Sequence, residues 1–129
     1  MKKLITIIIV VLILLGAVIF EQITINNYLN EIQDMTEELI TISTGTENIQ
    51  TDEIRDKVAT LKETWIHHEE ILCIFANHKD MCDLCIEIQK LEGNIEVNQY
   101  EDFTASLRVI YHLADDYHKI MGTSWQNIF

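Results

Sequence analysis

From Leu4 to Phe20 the chain is apolar except at Thr6 and Gly16, and beyond Phe20 its aliphatic residues recur at helical intervals with polar residues between them. The first segment is seventeen residues long, which as a helix reaches about 25 Å at 1.5 Å per residue, slightly short of a ~30 Å hydrocarbon core. Lys2 and Lys3 at one end and Ile23 and Ile25 at the other can make up the difference. Past this segment, Ile25, Ile32 and Leu39 recur every seven residues, as do Tyr28, Met35 and Ile42, and the two rows predict an a/d-like seam. The same helix should run on to Ser43 and Thr44 and stop at Gly45, the residue a left-handed C-cap favours.

Three further helices are predicted. Thr51 can cap the second, with Asp52 and Glu53 at the positive end of its dipole, and its seam reads Ile54, Val58, Leu61, Trp65, His68, Leu72 and Phe75. Trp65, His68 and Phe75 are the expected core anchors. Asn77, His78 and Lys79 read as a tight connection to a third helix carrying Met81, Leu84, Ile88, Leu91 and Ile95, which tolerates Gly93. Asn98 and Glu101 have capping-box spacing for a fourth, with the stripe Phe103, Leu107, Ile110, Ala114, Tyr117 and Met121 and an expected end at Gly122. The apolar tail from residue 123 to Phe129 should fold back onto the bundle.

The absence of Pro and the presence of only four Gly agree with an all-α chain: an N-terminal transmembrane helix followed by an antiparallel bundle of about four helices. Residues 1–21 form the basic start and anchor, and residues 22–129 one helical domain. Within that domain, 51–129 is the expected bundle core and 22–45 a candidate stalk.

Charge adds an orientation. After Lys3 the next cation is Arg55, while eight acidic residues fill the interval. The positive-inside rule therefore keeps the N-terminus in the cytoplasm and places the rest of the chain across the membrane. Ala17, Val18, Ile19 and Phe20 run straight into Glu21 without the small-x-small pattern of signal-peptide cleavage, so the segment reads as an uncleaved anchor of a single-pass protein of the cell membrane. Residues 22–129 hold seven Lys and Arg against twenty Asp and Glu, a net charge of −13 with His neutral. That surface repels nucleic acid and suits solubility or a cationic partner.

Catalytic constellations fail on spacing. His67, His68, Glu69 and Glu70 resemble the start of a zinc-protease helix, but position 72, where a second His is required, is Leu. A di-iron bundle needs two carboxylate-x-x-His pairs, and only Asp115 with His118 fits even loosely. His68 lies on the apolar seam, where a hydrogen-bonded packing role is expected. Cys73, His78, Cys82 and Cys85 bracket the turn between helices two and three, and Cys82-x2-Cys85 suits either a metal or a redox pair. A second Cys-x2-Cys half and a strand-to-helix setting are missing. If an intrachain bridge forms, antiparallel register favours Cys73 with Cys82, leaving Cys85 free. Buried or free thiols are the alternative.

Trp65 and His68 as W-x2-H, then Phe75 and His78 before the acidic helix start at Asp80, the segment Leu91–Ile95, and the closing Asn127, Ile128 and Phe129 together resemble an uncharacterised family of short bacterial single-span proteins, a domain of unknown function. The resemblance covers about Arg55 to Phe129. It implies the anchored helical layout and no activity or cofactor.

The expected function is thus a non-enzymatic helical interaction or scaffold module, integral to the membrane and packing against another protein or against itself. The alternative is a metal-binding or thiol-redox module centred on Cys82 and Cys85.

Overall fold

The computed structural model describes residues 1–128, with side chains through residue 116. Its four helices are α1 (Lys2–Ser43), α2 (Asp52–Phe75), α3 (His78–Glu96) and α4 (Tyr100–Ile128), and no strand occurs among the described residues. α1 packs on α2 and α4, and α3 packs on the same two, so the helices form a closed ring. Short connections and the cross-helix pairs fix the directions. Glu31 of α1 meets His68 of α2 while Glu38 meets Lys57, so numbers fall along α2 as they rise along α1. Lys62, near the middle of α2, meets Glu92, near the C-terminus of α3, at 2.8 Å, as an antiparallel pair joined by a short turn requires. The result is an up-down-up-down four-helix bundle.

The core is the sum of four apolar stripes. α2 contributes Ile54, Val58, Leu61, Trp65, His68 and Leu72, and α3 contributes Met81, Leu84, Ile88, Leu91 and Ile95, all buried as their spacing predicts. Phe103, Leu107, Ile110 and Ala114 of α4 face them. Phe75 departs from expectation: it is 48% exposed and anchors nothing. It is the last residue of α2, beyond the last buried position Leu72 and just before the two-residue link to α3.

α1 corrects two expectations. It is no stalk, because Ile25, Leu29, Ile32 and Leu39 are all within 1% of complete burial and belong to the same core. Its seam is also rotated: the second buried row is Leu29, Thr36 and Ser43, while Tyr28, Met35 and Ile42 are only half-buried at the flank. Hydrophobicity favoured the latter row because Thr and Ser look polar. Here the Thr36 hydroxyl donates to the Ile32 carbonyl at 2.7 Å and the Ser43 hydroxyl to the Ile40 carbonyl at 3.2 Å, so both enter the core with their donors satisfied.

The helix ends mostly follow local chemistry. Gly45 takes φ +85 just past α1, a conformation that costs a residue with a Cβ. The Thr51 side chain accepts from the Ile54 amide at 3.3 Å, and Asn77 accepts from the Lys79 amide at 3.0 Å, so His78 and Lys79 open α3 rather than lying in the connection. Asn98 is not the N-cap of α4. It sits at φ 51 as the left-handed residue that ends α3, its amide donating to the Ile95 carbonyl at 3.2 Å and the Gln99 amide donating to the Asn94 carbonyl at 2.9 Å. That paired pattern is a Schellman motif, in which Asn replaces the usual Gly. Its side chain instead accepts from the Ile49 amide at 3.1 Å, which fastens the α1–α2 loop to the α3–α4 loop, and Ile49 itself is fully buried.

α4 continues through Gly122 to Ile128, since one glycine weakens a helix without ending it when no Pro or cap follows. The side chains of Tyr117, His118, Met121 and the residues from 123 onward, Phe129 included, lie outside the described residues, so the fold-back of the tail and the Asp115–His118 pair are not placed.

Residues 4–20 are all exposed. α1 is long and apolar enough there to cross a membrane, with none of its most apolar stretch buried inside the protein.

Candidate functional site

Two groups of chemistry-bearing side chains stand out. The first is the α2–α3 turn. Ala76 closes α2 with its amide on the Leu72 carbonyl at 2.8 Å, and Asn77 opens α3, so the last turn of one helix and the first of the next lie side by side. This brings Cys73, Cys82 and Cys85 into one neighbourhood. All three are free thiols, so the condition under which Cys73 would pair with Cys82 is not met in the structure. Sequence numbering placed those two level, but the helix rotation sends Cys82 to solvent, with its Sγ 3.6 Å from His78 Nε2 one turn earlier. Cys85, four residues after the buried Met81, is the one that packs with Cys73 against the core.

Burial pushes the Cys73 thiol up in pKa, and the Glu69 carboxylate and the neighbouring Cys82 and Cys85 add to the shift. A thiol held protonated is a poor nucleophile and a poor metal ligand at neutral pH. Cys73 should therefore react several-fold more slowly with N-ethylmaleimide at neutral pH than the exposed Cys82, as peptide mapping after a timed quench would measure. Equal rates would contradict the environment described. Among the described residues no three His, Cys, Asp or Glu side chains converge as a metal site would need, so Cys73, His78, Cys82 and Cys85 are neighbours without being a ligand set.

The second group surrounds His68, midway along the bundle. Its ring is stacked on Tyr28 of α1 with centroids 3.7 Å apart and an interplanar angle of 13°, and its Nε2 lies 3.1 Å from Glu31 Oε2. His67 meets the ring edge-on at 5.1 Å, and a shallow groove lined by Glu31, Glu63, Thr64, His67 and His68 opens beside them. Nδ1 of His68 and Nε1 of Trp65 are buried with no hydrogen-bond partner. Such orphans cost about 1–3 kcal/mol each, which marks this layer as one where close packing outweighs polar satisfaction. The group ties α1 to α2. The His68 ring is held by the Glu31 carboxylate and the Tyr28 face it stacks on, which gives the cluster the composition of a packing device. Sequence reading found His68 but missed Tyr28 and Glu31 as its partners. The antiparallel register of α1 and α2 is the signal that pairs them.

The remaining candidate surface is the apolar stretch of α1 itself, which runs without a break into the buried seam that starts at Ile25.

Neither a curated protein nor a solved structure matches the chain. Residues 23–128, which take in the whole bundle and leave out the apolar stretch, match the domain of unknown function DUF4363, and the chain belongs to that family.

Proposed function

We propose that this protein is a single-pass membrane protein that holds an acidic four-helix bundle on the outer face of the membrane and acts by binding another protein or a second copy of itself, without catalysis. The observation that carries the reading is the continuity of α1: one helix of 42 residues begins as a bare apolar rod and ends as a quarter of a packed core. A flexible tether would leave the domain free to tumble, whereas a continuous helix fixes its height and tilt above the bilayer. That suits a module whose partner lies in or on the same membrane. The cations support the orientation, since Lys2 and Lys3 stand on one side of the apolar stretch and acidic residues alone on the near flank of the other. That no three His, Cys, Asp or Glu side chains converge among the described residues favours binding over metal chemistry.

Carbodiimide crosslinking in intact membranes tests the interaction, because the bundle offers many carboxylates to a partner's amines. A discrete adduct larger than the 15.0 kDa chain is expected. Recovery of the free chain alone at every crosslinker concentration would contradict the proposal.

A further inference from the structure

The register of the bundle decides which of its ends meets the membrane. Glu31 faces His68 and Glu38 faces Lys57, so continuing α2 toward its C-terminus brings Ile74 and Phe75 level with about residues 20–25 of α1. The apolar stretch of α1 ends at Phe20. The α2–α3 turn therefore stands at the height where the helix leaves the hydrocarbon core, on the reading that α1 spans the bilayer.

Three further observations concern this end of the bundle. Ile74 is 68% exposed, Phe75 48% and Ile23, on the neighbouring helix at the same height, 54%. These are large apolar side chains that the bundle leaves uncovered. From Ile71 to Lys79 the chain carries no acidic residue and ends on an exposed cation, with Glu21 of α1 and Asp80 of α3 flanking it. The opposite end is rich in acid: Glu47, Asp52 and Glu53 lie in or beside the α1–α2 loop, and Glu96, Glu101 and Asp102 flank the α3–α4 loop. Finally, the apolar stretch is about 5 Å short of a ~30 Å hydrocarbon core, which draws the base of the bundle down into the headgroup layer.

We propose that the α2–α3 turn is a second membrane contact, with Ile74 and Phe75 inserted in the headgroup region of the bilayer that α1 crosses. This rests on the anchor reading and deepens it: the bundle is seated on the lipid at two points and cannot swivel about α1 alone. The apolar pair supplies the insertion, Lys79 beside it faces lipid phosphate, and the acidic end points away from the surface.

Spin-label depth measurements test this on the full chain with Cys73, Cys82 and Cys85 replaced by Ala, in vesicles of phosphatidylethanolamine and phosphatidylglycerol. Single labels go at Phe75→Cys, at Ile66→Cys, which is an exposed apolar position of α2 about 13 Å farther from the turn, and at Leu12→Cys inside the apolar stretch. Collision with oxygen relative to a water-soluble nickel chelate is expected to be roughly threefold or more higher at 75 than at 66, and highest at 12. If circular dichroism shows that the label at 75 disturbs the fold, Ile74→Cys carries the same expectation. A ratio at 75 and 74 equal to that at 66, with position 12 in lipid, overturns the seat and leaves the anchor standing. Position 12 in water overturns both.

Discussion

Replacing Trp65 by Ala is expected to destabilise the protein by about 3–5 kcal/mol, the cost of emptying a large aromatic site in a closed core. Trp65 is 2% exposed and shares its stretch of α2 with Leu61, His68 and Leu72. No neighbour can collapse into the space without leaving its own helix. Trp65→Phe separates volume from polarity. Because the indole N–H is buried without a partner, Phe removes an orphan donor while keeping much of the bulk, and the loss should fall to under about 1.5 kcal/mol. Glu70→Ala, on the exposed side, should cost under about 0.5 kcal/mol. Urea unfolding of the full chain in mild detergent would rank the three. Similar small losses for Trp65→Ala and Glu70→Ala would mean that α2 does not bury this face.

The second large effect distinguishes a bundle helix from a stalk. Ile32 is fully buried, so Ile32→Ala should cost about 2–5 kcal/mol. Met35, half-buried at the flank of the seam, should cost about 1 kcal/mol or less on the same change. A free stalk would give almost no loss at either position. Equal substantial losses would instead restore the seam through Tyr28, Met35 and Ile42. The pair therefore tests both the place of α1 in the core and the rotation that puts Thr36 and Ser43 inside.

Most of the bundle was legible because its stripes obey one period. The buried positions of α3 are those its spacing predicts, and those of α2 agree up to Leu72. What escaped has physical reasons. Thr36 and Ser43 are polar by composition and apolar in effect, since each hydroxyl bonds a carbonyl of its own helix, and hydropathy cannot register that. Asn98 has capping-box spacing but also the short polar side chain that tolerates positive φ, and the two-loop junction with Ile49 selects the second role. Phe75 fits the helical period yet is the last residue of its helix, and a periodic pattern carries no information about which end positions the neighbouring helices cover. The turn cysteines were correctly brought together, but numbering alone cannot give the rotation that turns Cys82 outward and Cys85 inward.

The His68 layer shows the same limit from another side. Its partners Tyr28 and Glu31 lie nearly forty residues away in the chain, and only the α1–α2 register brings them within 3.7 Å and 3.1 Å. Once α1 is known to belong to the bundle, the pairing follows from antiparallel packing. Holding residues 22–45 open as a candidate stalk therefore left the layer unread as well.

The measurement that bears most directly on the anchored bundle is the fate of a reporter enzyme that is active only outside the cytoplasm, fused after Phe129 and assayed in membranes washed with alkaline carbonate. The account predicts that the fusion is active and that its activity stays with the washed membranes, as the proposed uncleaved, membrane-crossing α1 requires. An inactive fusion, or activity released into the wash as a chain beginning near Glu21, would contradict it.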